Sequence, residues 1–213
     1  MAIEITPYGQ RALLINWPQR ISAALNGEVH QMAELICRWA GVEGCTPAYC
    51  TLLVRFHPRQ RQLHELSAAI HQAYRELGST VPRPSREVAI PVDYSMAAAP
   101  DMAEVMRLTG LAHREVVALH TEQTYQVFML GFLPGFPYLG PLPSALHCPR
   151  KAIPRQSVPP LSVAIAGGQT GIYPVSAPGG WQLIGKAQLP VFDPAADPPF
   201  LLKPGDRVKF KAV

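Results

Sequence analysis

Apolar positions in the N-terminal part recur with two periods, and the switches between them mark the elements. Ile3 to Ile5 and Ala12 to Ile15 read as strand pieces around a turn at Pro7-Tyr8-Gly9. Ile21, Leu25, Val29, Met32, Ile36 and Trp39 then recur at helical spacing. They predict a helix with one apolar face, ended by Gly41 just past its C-terminus. Tyr49 to Phe56 predicts a strand with Cys50, Leu52, Val54 and Phe56 on one face. Leu63, Leu66, Ile70, Tyr74 and Leu77 predict a second helix, closed by Gly78, and Val88 to Val92 the next strand. Counting a short strand before Tyr49, the order is β-α-β-β-α-β, a split βαβ arrangement.

The pattern breaks at Val81-Pro82-Arg83-Pro84-Ser85-Arg86, a proline-rich basic segment that reads as an extended linker. It places a domain boundary between residues 1–82 and 87–213, with the strand Val88 to Val92 free to belong to either side. Beyond it, Asp101 reads as the cap of a short helix carrying Met102, Val105 and Leu108 and ended by Gly110. A second short helix carries Val116, Val117 and Leu119, with His120 in its last turn. The remainder alternates strands with Gly/Pro turns: Tyr125–Leu130, Ser162–Ala166, Gly171–Pro174, Trp181–Gly185, Pro190–Phe192 and Arg207–Val213. Lys203-Pro204-Gly205-Asp206 has the residues of a type II turn. Short strands at this density predict a closed or nearly closed barrel and an α+β protein overall.

Composition narrows the function classes. The chain has 213 residues, 48% hydrophobic and 16% charged, enough for a substantial core. A net charge of +4 arises from scattered Lys and Arg with no dense basic run, which argues against nucleic-acid binding. Four cysteines, Cys37, Cys45, Cys50 and Cys148, show neither C-x-x-C nor zinc spacing. The start has no signal-peptide pattern, and no apolar run reaches the roughly 18 residues of a membrane span. The expectation is a soluble protein of a reducing cytoplasm. His57, His64 and His71 recur every seven residues, but with no carboxylate or Cys to complete a ligand set they read as surface histidines, and no metal site is expected.

Glycine, proline and aromatic residues concentrate between Leu130 and Gly185. The stretch holds Gly131-Phe132-Leu133-Pro134-Gly135-Phe136-Pro137-Tyr138-Leu139-Gly140, then Pro149-Arg150-Lys151 and Pro154-Arg155. Ala166-Gly167-Gly168-Gln169-Thr170-Gly171-Ile172-Tyr173-Pro174 and Pro178-Gly179-Gly180-Trp181-Gln182-Leu183-Ile184-Gly185 follow. These motifs, in this order, resemble the allophanate hydrolase subunit 1 family. Gly9-x-Arg11-Ala12-Leu13-Leu14 and Lys203-Pro204-Gly205-Asp206-x-Val208-x-Phe210 extend the resemblance over nearly the whole chain. The family includes the B subunit of the bacterial ATP-dependent 5-oxoprolinase and the inhibitor of the sporulation histidine kinase. The resemblance implies an N-terminal split βαβ (ferredoxin-like) domain, a C-terminal cyclophilin-like β-barrel and a partner subunit. The chain departs from the family with Tyr94-Ser95-Met96 where Tyr-Gly-Gly is usual. It departs again with Pro160 and Leu161 where Pro-Ala-Gly-Ser is usual. Leu161 in place of Gly adds a side chain beside the turn into a central strand.

The candidate chemistry is sparse. The Gly131–Gly140 loop has no titratable group but the Tyr138 phenol, so Phe132, Phe136 and Tyr138 act through shape, ring contacts or backbone, or form a rigid corner with a cis bond before Pro137. Arg150 and Arg155 offer planar forks for a carboxylate or phosphate. Arg155 reads as exposed, so its loss is expected to leave folding nearly intact. His120, at a helix C-terminus, is expected to favour its charged form as a proton donor or anion ligand, or to cap the helix. Gln169, Thr170 and Tyr173 follow a Gly-rich turn that lacks the Lys and the helix of a phosphate loop. Trp181 is a stacking platform or a core plug. His120 and Arg155 are thus the candidate catalytic residues. Phe132, Phe136, Tyr138, Arg150, Gln169, Thr170, Tyr173 and Trp181 are the candidate substrate-binding residues. The Gly131–Gly140 loop, Arg155, the Gln169–Tyr173 turn and Trp181 are expected to converge on one cleft holding a small carboxylate.

Three functions fit. The first is the smaller subunit of an ATP-dependent 5-oxoprolinase, with ATP used by the complex. As the resemblance implies, its partners would be an allophanate hydrolase subunit 2-like protein (the C subunit) and a lactam utilisation-type A subunit. The second is a regulator that binds a sensor histidine kinase. The third is one half of a biotin-dependent carboxyltransferase. No Met-Lys biotin-attachment pair occurs in the chain, so biotin would sit on another protein.

Overall fold

The computed structural model describes residues 3–77 and 85–213. It separates into two compact units, Met1–Pro84 and Ser85–Val213. Gly78 and most of the proline-rich linker lie outside the described residues.

In the first unit four strands, β1 (Glu4–Pro7), β2 (Ala12–Asn16), β3 (Val42–Pro47) and β4 (Thr51–Phe56), form an antiparallel sheet of order β1-β2-β4-β3. Helices α1 (Ala23–Ile36) and α2 (Leu63–Glu76) contribute Leu25, Val29, Met32, Ile36, Leu66 and Ile70 to a core shared with Leu13, Ile15, Leu52, Val54 and Phe56 of the sheet. The Glu28 carboxylate accepts the Trp17 indole N–H at 3.2 Å and the Tyr74 hydroxyl at 2.9 Å, linking the two helices. Two expectations are corrected. Ile21 is exposed and precedes α1, and the helix stops at Ile36. Gly41 instead sits at φ +81 in a turn closed by Val42 N–H to the Trp39 carbonyl at 3.1 Å. That conformation suits glycine as the third residue of a tight turn.

The strand after α2, β5 (Glu87–Asp93), does not enter this sheet. It pairs in parallel with β13 (Arg207–Ala212) in the second unit. The fourth strand of the first sheet is β1, from before the first helix, so the observed order is β-β-α-β-β-α.

The second unit is a closed barrel. Its other strands are β6 (Thr124–Leu130), β7 (Pro137–Gly140), β9 (Ser162–Ala166), β10 (Gln169–Ile172) and β12 (Gln182–Ala187), in the order β10-β7-β6-β13-β5-β12-β9. A separate ribbon pairs β8 (Arg155–Val158) with β11 (Ala177–Gly179). Helices α3 (Met102–Thr109) and α4 (His113–Glu122) add Met102, Val105 and Val116 to the barrel core. Gly110, at φ +73, ends α3 as its left-handed cap. The Lys203–Asp206 turn closes with Asp206 N–H to the Lys203 carbonyl at 3.1 Å and Gly205 at φ +89.

Three further expectations are corrected. Asp101 stands at the N-cap position of α3 as expected, but its side chain makes no cap bond there. Pro190–Phe192 is not a strand; Phe192 forms only an isolated bridge with Phe200. The cis bonds precede Pro141 and Pro198, not Pro137.

Gly171 shows how tightly the barrel wall is packed. A Cβ there would stand 2.8 Å from the Phe136 ring and 2.9 Å from the Pro137 carbonyl. The backbone oxygen cannot swing away as a side chain could. Gly171→Ala is therefore expected to lower the unfolding free energy by about 1–3 kcal/mol, the usual range for an overpacked core. Urea unfolding followed by circular dichroism measures it, and a stability unchanged from wild type would contradict this packing.

Candidate functional site

Residues paired across an antiparallel ladder present their side chains on the same face. Thr170 pairs with Ile165 and Leu139, while Gly171 pairs with Ala164 and Tyr138. Ile165 and Leu139 belong to the barrel core, whereas Ala164 and Tyr138 belong to a second apolar cluster. The β7–β10–β9 wall is thus packed on both faces, and the candidate residues are divided between them.

On the outer face Phe136 sits at the centre of a ring cluster. Its ring meets Tyr138 at 4.9 Å, Tyr173 at 5.2 Å, Trp181 at 5.5 Å and Phe132 at 5.7 Å, all edge-on. Edge-on contacts place positive ring edges against negative ring faces. The loop before Phe136 is closed by Gly131 N–H to the Phe136 carbonyl and Phe136 N–H to the Leu133 carbonyl. Gly135 takes φ +79 against Phe192, where a Cβ would meet its side chain at 2.8 Å. Phe132 also takes a left-handed φ of 66, and its ring stays 61% exposed. A non-glycine residue in that region carries about 1 kcal/mol of strain. Phe136, Tyr173 and Trp181 are buried, so Phe132, half-buried Tyr138 and exposed Arg150 form the accessible rim. The Arg150 guanidinium lies 6.0 Å from the Trp181 ring centre. Burial raises the pKa of Tyr138 although Arg150 opposes it. Burial raises that of Tyr173 too, against the Trp181 backbone, Arg150 and Arg155. Neither phenol is poised to ionise near neutral pH.

Arg155 lies beside this cluster, because its strand pairs with Gly179, against which the Tyr173 hydroxyl packs. It is not an exposed side chain. Its Nη2 donates to Asp101 Oδ1 at 2.6 Å, and Lys151 Nζ donates to the same oxygen at 2.9 Å. Asp101 Oδ2 accepts the Leu183 backbone N–H at 2.8 Å. Asp101 is only 3% exposed. Burial pushes its pKa up, but the bonds from Arg155, Leu183 and Lys151 outweigh that and hold it below the ordinary value.

His120 lies on the inner face and is fully buried. Its ring stacks on Phe210 at 4.6 Å. Thr170 Oγ1 donates to the Ala164 carbonyl at 3.0 Å, using its one proton. His120 Nε2, 2.9 Å away, must therefore donate to Thr170, and Nδ1 accepts the Tyr94 hydroxyl at 2.7 Å. This fixes a neutral imidazole with both nitrogens satisfied. Burial lowers its pKa to about 3. The expected charged form is corrected: desolvation overrides the helix terminus, which acts on a ring facing the core. His120 does not cap α4 either, since its ring is spent on Tyr94 and Thr170.

The structure thus gathers Phe132, Phe136, Tyr138, Arg150, Tyr173 and Trp181, with Arg155 alongside. Gln169 shares their face of the wall, opposite Ala166. His120 and Thr170 are held apart on the other side. Among the described residues no group of three or more His, Cys, Asp or Glu is arranged to hold a metal. None of their helices is long and apolar enough to cross a membrane.

The family model for the carboxyltransferase domain, subdomain C and D, matches residues 3–202. The chain belongs to this carboxyltransferase-domain family. It is 40% identical to the 5-oxoprolinase B subunit of Bacillus subtilis (strain 168) over 220 residues, 97% of this chain and 91% of that protein. It is 41% identical to the 5-oxoprolinase B subunit of Escherichia coli O157:H7 over 202 residues, 95% of this chain and 92% of that one. The crystal structure of TTHA0988 superposes with a TM-score of 0.84 at 38% identity over 95% of this chain; the match spans 40% of the TTHA0988 chain. Kluyveromyces lactis urea carboxylase shares the fold, with a TM-score of 0.78 at 18% identity over 99% of this chain and 22% of that one.

Within this carboxyltransferase-domain chain, sequence reasoning missed Asp101 and Tyr94 as members of the polar clusters. Asp101 meets Lys151 and Arg155 across some fifty residues of sequence, and nothing local to Asp101 announces that. Tyr94 followed a strand end and carried no spacing relation to His120.

Two outcomes are expected. Arg155→Ala should destabilise the protein by about 1–3 kcal/mol, the range for a buried group that loses a charged hydrogen bond, because Lys151 and Leu183 still hold Asp101. Thermal or urea unfolding reads this, and Arg155→Lys should restore part of the loss. The second concerns acid. A histidine with a depressed folded pKa contributes stability that is complete above its unfolded pKa near 6.5 and lost as pH falls toward about 3. The depressed Asp101 acts in the same direction, but only below its unfolded value near 3.9. Between pH 6 and 4.5 the wild type should therefore lose about 1.4 kcal/mol per pH unit more than His120→Gln. Parallel slopes in denaturant titrations across that window would overturn the neutral buried assignment.

Proposed function

We propose that this chain is the B subunit of a multi-subunit, ATP-dependent 5-oxoprolinase, which opens 5-oxoproline to L-glutamate. The observation that carries this reading is identity of 40% and 41% to two 5-oxoprolinase B subunits over 95% or more of the chain. The geometry supports a share in a site rather than a complete one. Opening an unstrained lactam in water needs activation, and a base or nucleophile must act on the carbonyl. Here Asp101 is neutralised by two cations, His120 is a sealed neutral ring, and the phenols of Tyr138 and Tyr173 stay protonated. What the chain offers is a rigid ring wall with an accessible rim. On this reading Phe132 and Tyr138 hold the apolar face of a small ring and Arg150 its carboxylate. Phe136, Tyr173 and Trp181 support them, with Gln169 at one end of the wall. Arg155 positions the β8–β11 ribbon, while His120 and Thr170 set the wall from within.

The finer architecture follows the same reading. The first unit, residues 1–82, is a split βαβ, ferredoxin-like domain permuted so that its fourth strand comes first; residues 87–213 are a cyclophilin-like barrel. The partners are an allophanate hydrolase subunit 2-like protein, as the C subunit, and a lactam utilisation-type A subunit, in the cytoplasm, with ATP consumed by the assembly. A second reading, a biotin-dependent carboxyltransferase half, is favoured by the family's description and by the fold shared with urea carboxylase. The chain has no Met-Lys pair for biotin, so that reading requires a biotinylated partner.

Affinity purification of the native chain separates the two, by a lactam-utilisation-type or a biotinylated companion. The purified chain alone is expected to show no 5-oxoproline turnover, and addition of the two companions to restore it. Arg150→Ala in the complex should raise KM for 5-oxoproline about tenfold or more, the loss of one charged hydrogen bond. Turnover by the chain alone, or an unchanged KM, would overturn this assignment.

A further inference from the structure

Arginines that are scattered along the sequence of the first unit are gathered by two turns at one end of its sheet. The Trp39–Val42 turn leads into β3, and a turn over residues 57–61 follows β4, with the Gln60 and Arg61 N–H groups both donating to the His57 carbonyl at 3.0 Å. The His57 N–H donates to the Gly41 carbonyl at 2.8 Å and fastens one turn to the other. Gly41 fits this join closely, since a Cβ there would stand 3.2 Å from the Arg61 Cβ and 3.3 Å from that of Gln60. The Arg61 guanidinium lies 5.7 Å from the centre of the half-buried Trp39 ring, and its Nε is buried with no hydrogen-bond partner among the described residues. Arg55 points away from the helices, because Val54 and Phe56 on either side of it face the shared core. It is paired in register with Ala12 and Gly44, and a Cβ on Gly44 would stand 2.9 Å from the Arg55 Nη2. Arg11 Nη2 donates to Glu43 Oε1 at 2.7 Å at the same end of the sheet. Arg38 and Arg59 are exposed on the two turns. Residues 38–43 and 55–61, with Arg11, thus carry five arginines and one carboxylate, Glu43. That excess is as large as the net charge of the whole chain, +4.

We propose that this arginine face is a docking surface for an acidic segment of a partner protein. Charge complementarity decides the occupant. A second copy of the chain would bring the same arginines and is repelled. Extension of the sheet by a partner strand is disfavoured too. β3 is an edge strand, but it is bulged between Val42 and Gly44 and ends in Pro47, two features that blunt an edge. Recognition therefore falls to the side chains. All five cations are arginines, whose planar forks match a carboxylate with two parallel bonds. Arginine and tryptophan are also the residues enriched where proteins meet. A nucleic acid fits less well, because its binding grooves combine rows of cations along a backbone with open aromatic faces for the bases. Here the cations sit on two turns, and Trp39 is half-buried beside the Arg61 guanidinium. The surface belongs to the first unit and holds whether or not the chain serves a 5-oxoprolinase.

The test titrates a fluorescein-labelled decamer of glutamate with the full-length chain and reads fluorescence anisotropy. The peptide should bind, and more weakly as salt is raised. Arg55→Ala combined with Arg59→Ala removes two exposed arginines and leaves the Arg61–Trp39 contact in place. This variant should lose affinity about fivefold or more, the combined effect of a few exposed ion pairs. Arg207→Ala combined with Lys211→Ala takes the same charge from exposed positions of β13 and should leave affinity nearly unchanged. Amide hydrogen exchange of the wild type supplies a readout that needs no variant: bound peptide should slow exchange in residues 38–43 and 55–61. The proposal is overturned if the peptide does not bind, or if the two double variants lose affinity equally, which would leave net charge as the whole cause. It is equally overturned if protection falls outside the two turns, or if DNA of the same charge binds more tightly than the peptide.

Discussion

The β7–β10–β9 wall is packed on both faces, and much of the second unit follows from that constraint. A strand exposed on one face can spend every second residue on solvent, but a wall packed on both faces must fill two volumes at once. The inner volume takes Leu139, Ile165 and Ile172; the outer takes the rings of Phe136, Tyr173 and Trp181. Where a large ring stands against the wall, the strand beneath it must be bare. Gly171 of the wall lies under Phe136, and on the neighbouring β8–β11 ribbon Gly179 lies under the Tyr173 hydroxyl, where a Cβ would stand at 2.2 Å. The glycines and the rings are therefore one feature, which is why they are concentrated in the same stretch.

The same constraint decides what the polar groups can do. A buried charge survives only if paired, and a buried titratable group otherwise goes neutral. Both outcomes occur within the barrel. Asp101 stays ionised because two cations and a backbone N–H converge on it. His120 has no charged partner among its hydrogen bonds and is neutral, its two nitrogens divided between one donor and one acceptor. Each group is satisfied inside the barrel, and each is thereby removed from acid–base work at its surface. The groups still facing outward are Arg150, permanently charged, and two rings.

The sequence made the elements legible wherever a single period ran uninterrupted. The stripe Leu25–Val29–Met32–Ile36 and the alternation Cys50–Leu52–Val54–Phe56 correspond to α1 and β4 as observed. It misled where one residue type serves two purposes. Gly41 was equally suited to a helix cap and to a tight turn; α1 stops at Ile36, and Gly41 serves the Trp39–Val42 turn. Pro190–Phe192 had strand composition, but Phe192 stacks on Phe200 at 5.3 Å rather than joining a ladder. Membership of β5 was undecidable from its own residues, since an alternating strand fits either sheet. Within the candidate site, the rings were visible because aromatic residues, glycine and proline are concentrated together between Leu130 and Gly185. The pairing of Arg155 with Asp101 was not, because long-range ion pairs have no local signature. His120 was misjudged in charge because the helix terminus can be read from sequence and the depth of burial cannot.

Leu161 shows how a departure from the family pattern is absorbed. It occupies a left-handed φ of 67, the geometry a glycine would take there. Its N–H still bonds the Tyr173 carbonyl at 2.6 Å, and its carbonyl still accepts the Ala187 N–H at 2.8 Å. The backbone path into β9 is thus bonded on both sides of Leu161 although the residue is not the usual one. The strain, about 1 kcal/mol, is offset by packing of the Leu161 side chain against the barrel core. Since Tyr173 is held by Leu161 on one side and by Gly179 and the Phe136 ring on the others, the substitution leaves the ring cluster in place. Loss of the wall would require loss of those backbone bonds, and Leu161 keeps both.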